Sequence, residues 1–475
     1  MSQKINPSIF REYDIRGIAG KDLTPEFAEQ LGFAYAQYLG RTSRPAAGRA
    51  QFRATLGWDC RLSSPPYADA VARGMLRGGL DVIRLGMCPT PLSYFSLFHL
   101  DCDGGIMITG SHNPADYNGF KICIGRETIY GGKIQDLRAT MEHPAPAPVS
   151  GGALSEFPII EPYIEHLLKI ARPVRKMKIV LDSGNGTGGL VAPQLFQRLG
   201  AEVIPLYCDI DGRFPNHHPD PTVPENLKDL VARVLSEHAA FGVSFDGDSD
   251  RIGLVDETGR IRYGDEQMIM YSRDLLKEHP GATVISEVKS SYRLYNDIAA
   301  HGGSPLMWKT GHSLIKSKMK ETGALLAGEM SGHMFFADRY FGYDDAIYSA
   351  LRVYEIASKS DHPLSEQFLG LPDTVSTPEI RMDCDEDKKF RLVEETKLRL
   401  SSDKSISIND IDGVRADFGD GWGLVRASNT QPVLVLRFEA PTKLRLDEIR
   451  RRVETALLSA ARAVGQGPLV ASNGH

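Results

Sequence analysis

The sequence predicts an α/β protein: three αβ blocks followed by a smaller α+β module. Three observations predict it. Apolar runs of strand length alternate with runs of helical period up to about Ser358. A stretch rich in Pro, Ala, Gly and Ser, from His143 to Phe157, reads as a linker after the first block. From about Pro372 the pattern changes to two strand-like runs around the turn Gly419-Asp420-Gly421-Trp422-Gly423 and a closing amphipathic helix. These breaks suggest domains at 5–154, 155–258, 259–371 and 372–464, with a disordered tail over 465–475.

The elements follow in order. Thr24 and Pro25 start a helix whose Phe27, Leu31, Ala34 and Tyr38 share a face, and Gly40 is expected to end it. Strand, helix and strand follow at Ala54–Trp58, Tyr67–Leu76 and Leu80–Leu85, then a buried run at Gly105–Ile108. The second block places a helix at Ile159–Ile170, strands at Lys178–Leu181 and Ala201–Leu206 around a helix at Leu190–Leu199, a helix at Glu225–Glu237 and a strand at Phe241–Phe245. The third has strands at Thr283–Val288, Pro305–Trp308 and Ala324–Ala327, with a helix at Asp345–Ala357. A last helix spans Leu446–Ala463. The αβ alternation argues for mostly parallel sheets covered by helices.

Length and composition set the limits. A chain of 475 residues, 42% hydrophobic and 24% charged, has the make-up of a globular protein of several domains. A net charge of −6 marks no nucleic-acid binder. The cluster Arg41, Arg44, Arg49, Arg53 lacks interleaved aromatics and reads as a solvated loop. No run approaches a membrane span, and the polar start of the chain has no signal-peptide core. Six scattered cysteines without a C-x-x-C pair predict reduced thiols and a cytoplasmic location.

Four loops could carry chemistry. Asp246-Gly247-Asp248-Ser249-Asp250-Arg251 follows a strand and offers three carboxylates that can converge on a hard cation, Mg²⁺ or Ca²⁺. An EF-hand is rejected, because its sixth position must be Gly and is Arg251, and the flanks read as strands. Thr109-Gly110-Ser111-His112-Asn113-Pro114 presents a hydroxyl on a loop after a buried strand, although a serine there is also an ordinary turn former. Because neighbouring side chains on an extended segment point apart, His112 is not expected to act on Ser111. Gly328-Glu329-Met330-Ser331-Gly332-His333 brackets a carboxylate, a hydroxyl and an imidazole suited to sugar hydroxyls. Arg426-Ala427-Ser428-Asn429-Thr430 is either a phosphate cradle or a polar hairpin turn.

Other signals compete. Gly184-Asn185-Gly186-Thr187-Gly188-Gly189 matches G-x-G-x-x-G, with Asp209 further on, so dinucleotide binding and a tightly packed turn both stand. His217-His218 lack a partner ligand at zinc spacing, and Ser111 is in no G-x-S-x-G elbow. His312, Lys289 and Lys121 would each pass as plain surface residues.

With these loops in order, the chain resembles the α-D-phosphohexomutases from about Pro7 to Val464. Tyr13 to Gly17, Tyr117 to Lys121 and Lys309 to Ser313 match as well. The resemblance implies three related αβ domains and a smaller C-terminal one around a central cleft, each giving one loop. It implies that Ser111 carries a phosphoryl group, and that Asp246, Asp248 and Asp250 hold Mg²⁺ together with a phosphoserine oxygen. Phosphorylated hexoses would be the substrates, and a 1,6-bisphosphate the intermediate. Arg251 and Lys121 would add positive charge, and Arg16, Lys121, His312 and His333 would share proton handling and orientation. Glu329 and Ser331 would hold sugar hydroxyls; Tyr13, Lys289, Arg426, Ser428, Asn429 and Thr430 would complete substrate binding. Met330 matches the branch that accepts both glucose and mannose phosphates. A monomer is expected. Ser249 and Gln431 depart from the family's usual residues, Ser249 from a Gly.

Overall fold

The computed structural model describes residues 5–46, 48–148, 151–429 and 431–471. Their strands form four sheets, each from one stretch of chain. The first holds β1 (Ile15–Ile18), β2 (Arg53–Trp58), β3 (Asp81–Met87), β4 (Gly104–Ile108), β5 (Tyr117–Ile124), β6 (Glu127–Thr128) and β7 (Leu154–Glu156), with helices α1 (Pro25–Thr42), α2 (Ser64–Arg77), α3 (Thr90–His99) and α4 (Gly132–Glu142). The second holds β8 (Lys178–Asp182), β9 (Glu202–Leu206), β10 (Phe241–Phe245), β11 (Ile252–Asp256) and β12 (Ile261–Arg262), with α5 (Ile160–Ile170), α6 (Ala192–Arg198) and α7 (Lys228–Glu237). The third holds β13 (Thr283–Glu287), β14 (Ser304–Trp308), β15 (Leu326–Gly328) and β16 (Met334–Phe336), with α8 (Gly264–Glu278), α9 (Tyr292–Ala300), α10 (His312–Thr322) and α11 (Ala346–Lys359). The fourth holds β17 (Val375–Ser376), β18 (Ile380–Asp383), β19 (Ser407–Asn409), β20 (Val414–Asp417), β21 (Trp422–Ala427), β22 (Val433–Ala440) and β23 (Val470–Ala471), with α12 (Lys389–Ser401) and α13 (Lys443–Ala463).

The αβ alternation reads correctly at the centre of each of the first three sheets, where strands run parallel: β3-β2-β4, β9-β8-β10 and β14-β13-β15. Each then turns back in an antiparallel strand: β5 on β4, β11 on β10, β16 on β15. The fourth sheet is wholly antiparallel, as an α+β module requires.

Three local expectations need correction. Thr24 caps α1, accepting from the Phe27 N–H at 3.2 Å, but the helix runs through Gly40 to Thr42. Gly40 keeps a negative φ and so does not serve as a left-handed stop. The linker is not structureless: its end forms β7, which extends the first sheet in parallel beside β3. The tail is likewise ordered as far as β23, which pairs with β18; residues 472–475 lie outside the described residues.

One apolar core joins the first three sheets through Phe95 of α3, Tyr163 of α5, Phe196 of α6 and Tyr354 of α11, and the first sheet has a second core of its own around Leu31, Leu56 and Phe120. The fourth sheet has its own core. It meets the third through Trp422 against Val288, Arg415 donating to the Ser290 carbonyl at 2.8 Å, and Ser291 donating to Glu439 at 2.7 Å. Within the shared core, Asp345 caps α11, accepting from the Tyr348 N–H at 2.8 Å, and also accepts from Tyr163 and Tyr340 at 2.8 Å.

Burial pushes the Asp345 carboxyl up to about 6. Its unfolded value near 4 lies below that. Its stabilising share is therefore full below about pH 4 and is lost as pH rises through about 6. Asp345→Asn keeps a capping oxygen and removes the titration. In denaturant unfolding it should gain about 1 kcal/mol on the parent between about pH 5 and pH 7. A pH-independent difference would show that Asp345 does not titrate this way.

Candidate active site

The four loops singled out above are all hairpin connections at the end of a buried strand: β4 to β5, β10 to β11, β15 to β16 and β21 to β22. Register pairs Ile108 with Phe120, Phe245 with Ile252, Gly328 with Met334 and Ala427 with Leu434 close them. Their tips are therefore aimed by rigid, two-sided hydrogen bonding.

Ser111 sits at a φ of 50°, in the left-handed region, where a non-glycine residue is strained by about 1–3 kcal/mol. Its N–H donates to Thr109 Oγ1 at 2.8 Å. Its Oγ donates to Asp246 Oδ2 at 2.9 Å and lies 3.1 Å from His112 Nδ1. The expectation that His112 points away is thus overturned, because the left-handed turn removes the alternation of an extended segment. Burial, then the neighbouring Arg251 and Arg16, push the His112 imidazole well below its ordinary value, so the ring is neutral.

Asp246, Asp248 and Asp250 are fully buried, and their carboxylate oxygens lie within 4.8 Å of one another. Asp246 accepts from the backbone N–H of Asp250 (3.0 Å) and Arg251 (3.1 Å), which folds the loop around its own first carboxylate. Asp248 accepts from Thr90 at 2.6 Å, Thr109 at 3.0 Å and Lys121 at 3.0 Å; Lys121 also pairs with Asp250. Burial and then the charges of Asp250 and Asp248 push the Asp246 carboxyl well up. Burial acts the same way on Asp248, but the Lys121 ammonium outweighs it and holds that carboxyl below the usual range. Asp248 Oδ1 and Asp250 Oδ1 are buried without a hydrogen-bond partner. Oxygen ligands with unspent lone pairs and surplus negative charge fit a hard divalent cation. Ser249 adopts a φ of 60°, in the left-handed region that favours glycine.

On the far side of Asp250 lies an imidazole pair. Arg251 Nε donates to His333 Nε2 at 2.9 Å, so that nitrogen carries a lone pair and the proton of the neutral ring is on Nδ1. Nδ1 faces Asp344 Oδ2 at 3.2 Å and Asp250 Oδ1 at 3.6 Å. His312 stacks on His333 with ring centroids 5.7 Å apart, and burial pushes its imidazole well below the ordinary value. Asp250, His333 and Asp344 could also surround a metal, but Lys316 at 3.0 Å from Asp344 and Arg251 against His333 already supply positive charge there. Asp344, which was not anticipated, is fully buried.

The remaining residues gather around Tyr13. Its hydroxyl donates to the Thr310 carbonyl at 2.8 Å and accepts from Asn429 at 2.7 Å, joining the first, third and fourth sheets' segments. Glu329 is buried, accepting from the Gly311 N–H at 2.5 Å and from Ser331 at 3.2 Å. Arg426 pairs with Asp412 at 3.1 Å. Lys289 pairs with Glu379 at 3.1 Å and Glu287 at 3.5 Å. Ser428 Oγ accepts from the Gln431 N–H at 3.2 Å, and Gln431 Oε1 accepts from Arg381 at 2.6 Å. Thr430 lies outside the described residues. Arg16 pairs with Asp14 at 2.5 Å and donates to Asn113 of the Ser111 loop. The candidates thus form two groups. Ser111, the aspartates, Lys121, Arg251 and the histidines make one, with Arg16 at its edge. Tyr13, Glu329, Ser331, Lys289, Arg426, Ser428 and Asn429 make the other.

Arg61 was missed by sequence reading. Its buried guanidinium donates to the carbonyls of Ser111 (2.7 Å), Asn113 (2.6 Å), Tyr117 (3.0 Å) and Pro114. The dinucleotide reading of Gly184–Gly189 fails. The motif opens a short 3₁₀ turn over Thr187–Leu190, and α6 starts only at Ala192. A Cβ at Gly186 would meet the Gly247 carbonyl at 2.7 Å, and one at Gly189 the Cys208 carbonyl at 2.0 Å. Protein backbone therefore fills the space a pyrophosphate would need, and the turn buttresses the aspartate loop.

Known proteins are similar to this chain in sequence and fold. Family models described as phosphoglucomutase/phosphomannomutase alpha/beta/alpha domains I, II and III match residues 7–141, 161–259 and 263–375, and the C-terminal domain of that family matches 379–456. A phosphomannomutase/phosphoglucomutase of Pseudomonas aeruginosa is 48% identical over 444 residues, covering 93% of this chain and 94% of that protein. A phosphoglucomutase of Neisseria gonorrhoeae is 45% identical over 458 residues, covering 96% and 98%. The crystal structure of a phosphoglucomutase/phosphomannomutase family protein from Burkholderia thailandensis superposes with a TM-score of 0.90 at 39% identity, covering 98% of this chain and 99% of that one. Parafusin from Paramecium shares the fold alone, with a TM-score of 0.77 at 16% identity, covering 97% and 96%. With all four domain models matched in order, the chain belongs to the phosphoglucomutase/phosphomannomutase family of α-D-phosphohexomutases.

Proposed function

We propose that the protein reversibly interconverts the 1- and 6-phosphates of mannose and glucose, through a phosphoserine at Ser111 and a hexose 1,6-bisphosphate. The observation that carries this reading is the 2.9 Å contact of Ser111 Oγ with Asp246, within a buried three-carboxylate loop. The division at 5–154, 155–258, 259–371 and 372–464 is proposed with it, one loop from each.

Asp246, Asp248 and Asp250 would hold Mg²⁺ together with an oxygen on Ser111, and the ion would supply charge neutralisation to the transferring phosphoryl group. In the first transfer the bond between phosphorus and Ser111 Oγ breaks, and one forms to the free sugar hydroxyl, whose proton must leave. After the bisphosphate reorients, its other phosphoryl group returns to Ser111. Phosphoryl transfer depends on positioning and charge more than on covalent help.

The proton acceptor can be narrowed. Burial opposes the Lys121 ammonium, but Asp248, Asp250 and Asp344 outweigh it and raise the group further, so it stays charged. Guanidinium groups do not deprotonate in proteins, which sets aside Arg16 and Arg251. His333 and His312 are left; His333 Nε2 is already engaged by the Arg251 N–H, so His312, kept neutral by burial, is favoured. Arg251 and Arg16 are then charge donors beside the Ser111 loop. Glu329 and Ser331 would take sugar hydroxyls, while Arg426, Ser428, Asn429 and Thr430, with Lys289 and Tyr13, would hold the non-reacting phosphate end. Ion pairs with Asp412 and Glu379 keep Arg426 and Lys289 oriented meanwhile.

One chain supplies every loop, which supports a monomer as the working unit. The six cysteines are free thiols, which supports a reducing compartment such as the cytoplasm. Among the described residues no helix is long and apolar enough to cross a membrane.

Phosphorylated protein given glucose 1-phosphate or mannose 1-phosphate, Mg²⁺ and a trace of the 1,6-bisphosphate should form the 6-phosphate; its absence would refute the reading. Ser111→Ala should reduce turnover to background while leaving the thermal transition in place. Chelation with EDTA should abolish turnover and added Mg²⁺ restore it, with Mg²⁺ binding by calorimetry lost in Asp248→Asn. His312→Ala should lower kcat by about 100-fold or more, and a smaller change in kcat would remove it as the proton acceptor.

A further inference from the structure

We propose that Arg61 is a positioning residue for phosphoryl transfer, a guanidinium clamp that sets where Ser111 Oγ lies against the aspartate loop. The inference rests on the reading of Ser111 as phosphoryl carrier. Arg61 follows β2, the strand beside β4, and so stands next to the point where the Ser111 loop leaves the sheet. The loop doubles back over that point and turns the carbonyls of Ser111, Asn113, Pro114 and Tyr117 toward one place. Four carbonyl dipoles aimed together repel one another unless a donor sits among them, and the Arg61 side chain that fills the place is fully buried. A planar fork of N–H donors meets several acceptors at once; a lysine ammonium cannot match that geometry.

The clamp is itself fixed. Asp59 Oδ2 lies 3.2 Å from Arg61 Nε and accepts from the Gly110 N–H at 3.1 Å. Asp59 Oδ1 accepts from the Arg61 N–H at 3.0 Å and from Ser64 at 2.5 Å. One carboxylate thus neutralises the buried cation and holds both ends of the arrangement. Gly110 is part of it, since a Cβ there would fall 2.4 Å from Arg61 Nε.

A separate observation ties the clamp to the chemistry. The Ser111 carbonyl that accepts from Arg61 at 2.7 Å is also the surface against which Gly247 of the aspartate loop is seated, where a Cβ would come within 2.7 Å. Phe214, from the second sheet's segment, covers the guanidinium at 5.2 Å. Loss of the clamp would release the left-handed turn at Ser111 and shift it against Gly247, while the three aspartates keep their own donors from Asp250, Arg251, Thr90 and Lys121. Displacements of about 1 Å at a reacting atom reduce rates by about 100-fold.

The test uses Arg61→Lys, which keeps charge and most of the volume, and Gly110→Ala, which displaces the guanidinium while leaving Arg61 in the sequence. Steady-state kinetics with glucose 1-phosphate are read beside thermal melting and Mg²⁺ binding. Both variants should show kcat lowered by about 100-fold with KM within about threefold of the parent and the Mg²⁺ site retained, because the sugar and phosphate loops come from other strands. Unchanged kcat in either folded variant would overturn the inference. So would a rise in KM matching the fall in kcat. Parent protein without mutase turnover would refute the proposed function itself, a result distinct from an active parent whose Arg61 and Gly110 variants are equally active.

Discussion

Three carboxylates with no solvent exposure, held within 4.8 Å of one another, are the constraint that the rest of the structure answers to. Burial disfavours the charged form and like charges repel, and the Asp246 carboxyl is raised by its burial and then by Asp250 and Asp248. The protein answers with directed donors: two backbone N–H groups on Asp246, the hydroxyls of Thr90 and Thr109 on Asp248, and the Lys121 ammonium shared by Asp248 and Asp250. The donors on Asp248 come from the first sheet's segment, so the electrostatics of one loop require another domain against it. A divalent cation completes the balance that these groups begin.

The fold makes this possible through one repeated device. A parallel strand buried in a sheet's centre ends, the chain turns, and an antiparallel strand returns. The turn is pinned by register at both ends, which lets it carry strain. Ser111 and Ser249 both sit at positive φ in such turns, and Arg61 and the Gly184–Gly189 turn buttress them from outside. The shared core of the first three sheets keeps these turns facing one another, whereas the fourth sheet is attached to the third largely through polar contacts of Arg415, Arg437 and Glu439, and to the first through the Tyr13–Asn429 bond. That bond ties Tyr13 to Asn429 of the fourth loop, the loop proposed to hold a substrate phosphate.

Much of this was legible in the sequence, and the failures have physical reasons. Asp246, Asp248 and Asp250 were readable because three carboxylates at alternating positions after a strand have little other use. Two of the antiparallel return strands were not, since β16 is short and β5 carries the Tyr117–Lys121 motif, whereas Ile252 to Val255 reads as a strand and lies in β11. His112 was misjudged because alternation assumes an extended backbone, and a left-handed serine breaks it. The glycines at Gly184–Gly189 suggested a ligand, but what approaches them closely is the protein's own backbone at Gly247 and Cys208. Arg61 and Asp344 carry no local signature at all. Each acts on residues tens of positions or more away or from another element, so only the folded chain reveals them. Arg61 directly after a strand, next to a buried Asp59, is the kind of charge pair that sequence periodicity does not flag.

The central claim is that Ser111 hands over its own phosphoryl group under the influence of the buried aspartates. Protein carrying a radiolabelled phosphoryl group on Ser111, mixed with excess unlabelled glucose 1-phosphate in a single turnover with Mg²⁺, tests it most directly. The account predicts that the label leaves the protein and appears in the sugar bisphosphate and then in the 6-phosphate, at the rate of product formation. Product formed while the label stays on Ser111 would contradict it.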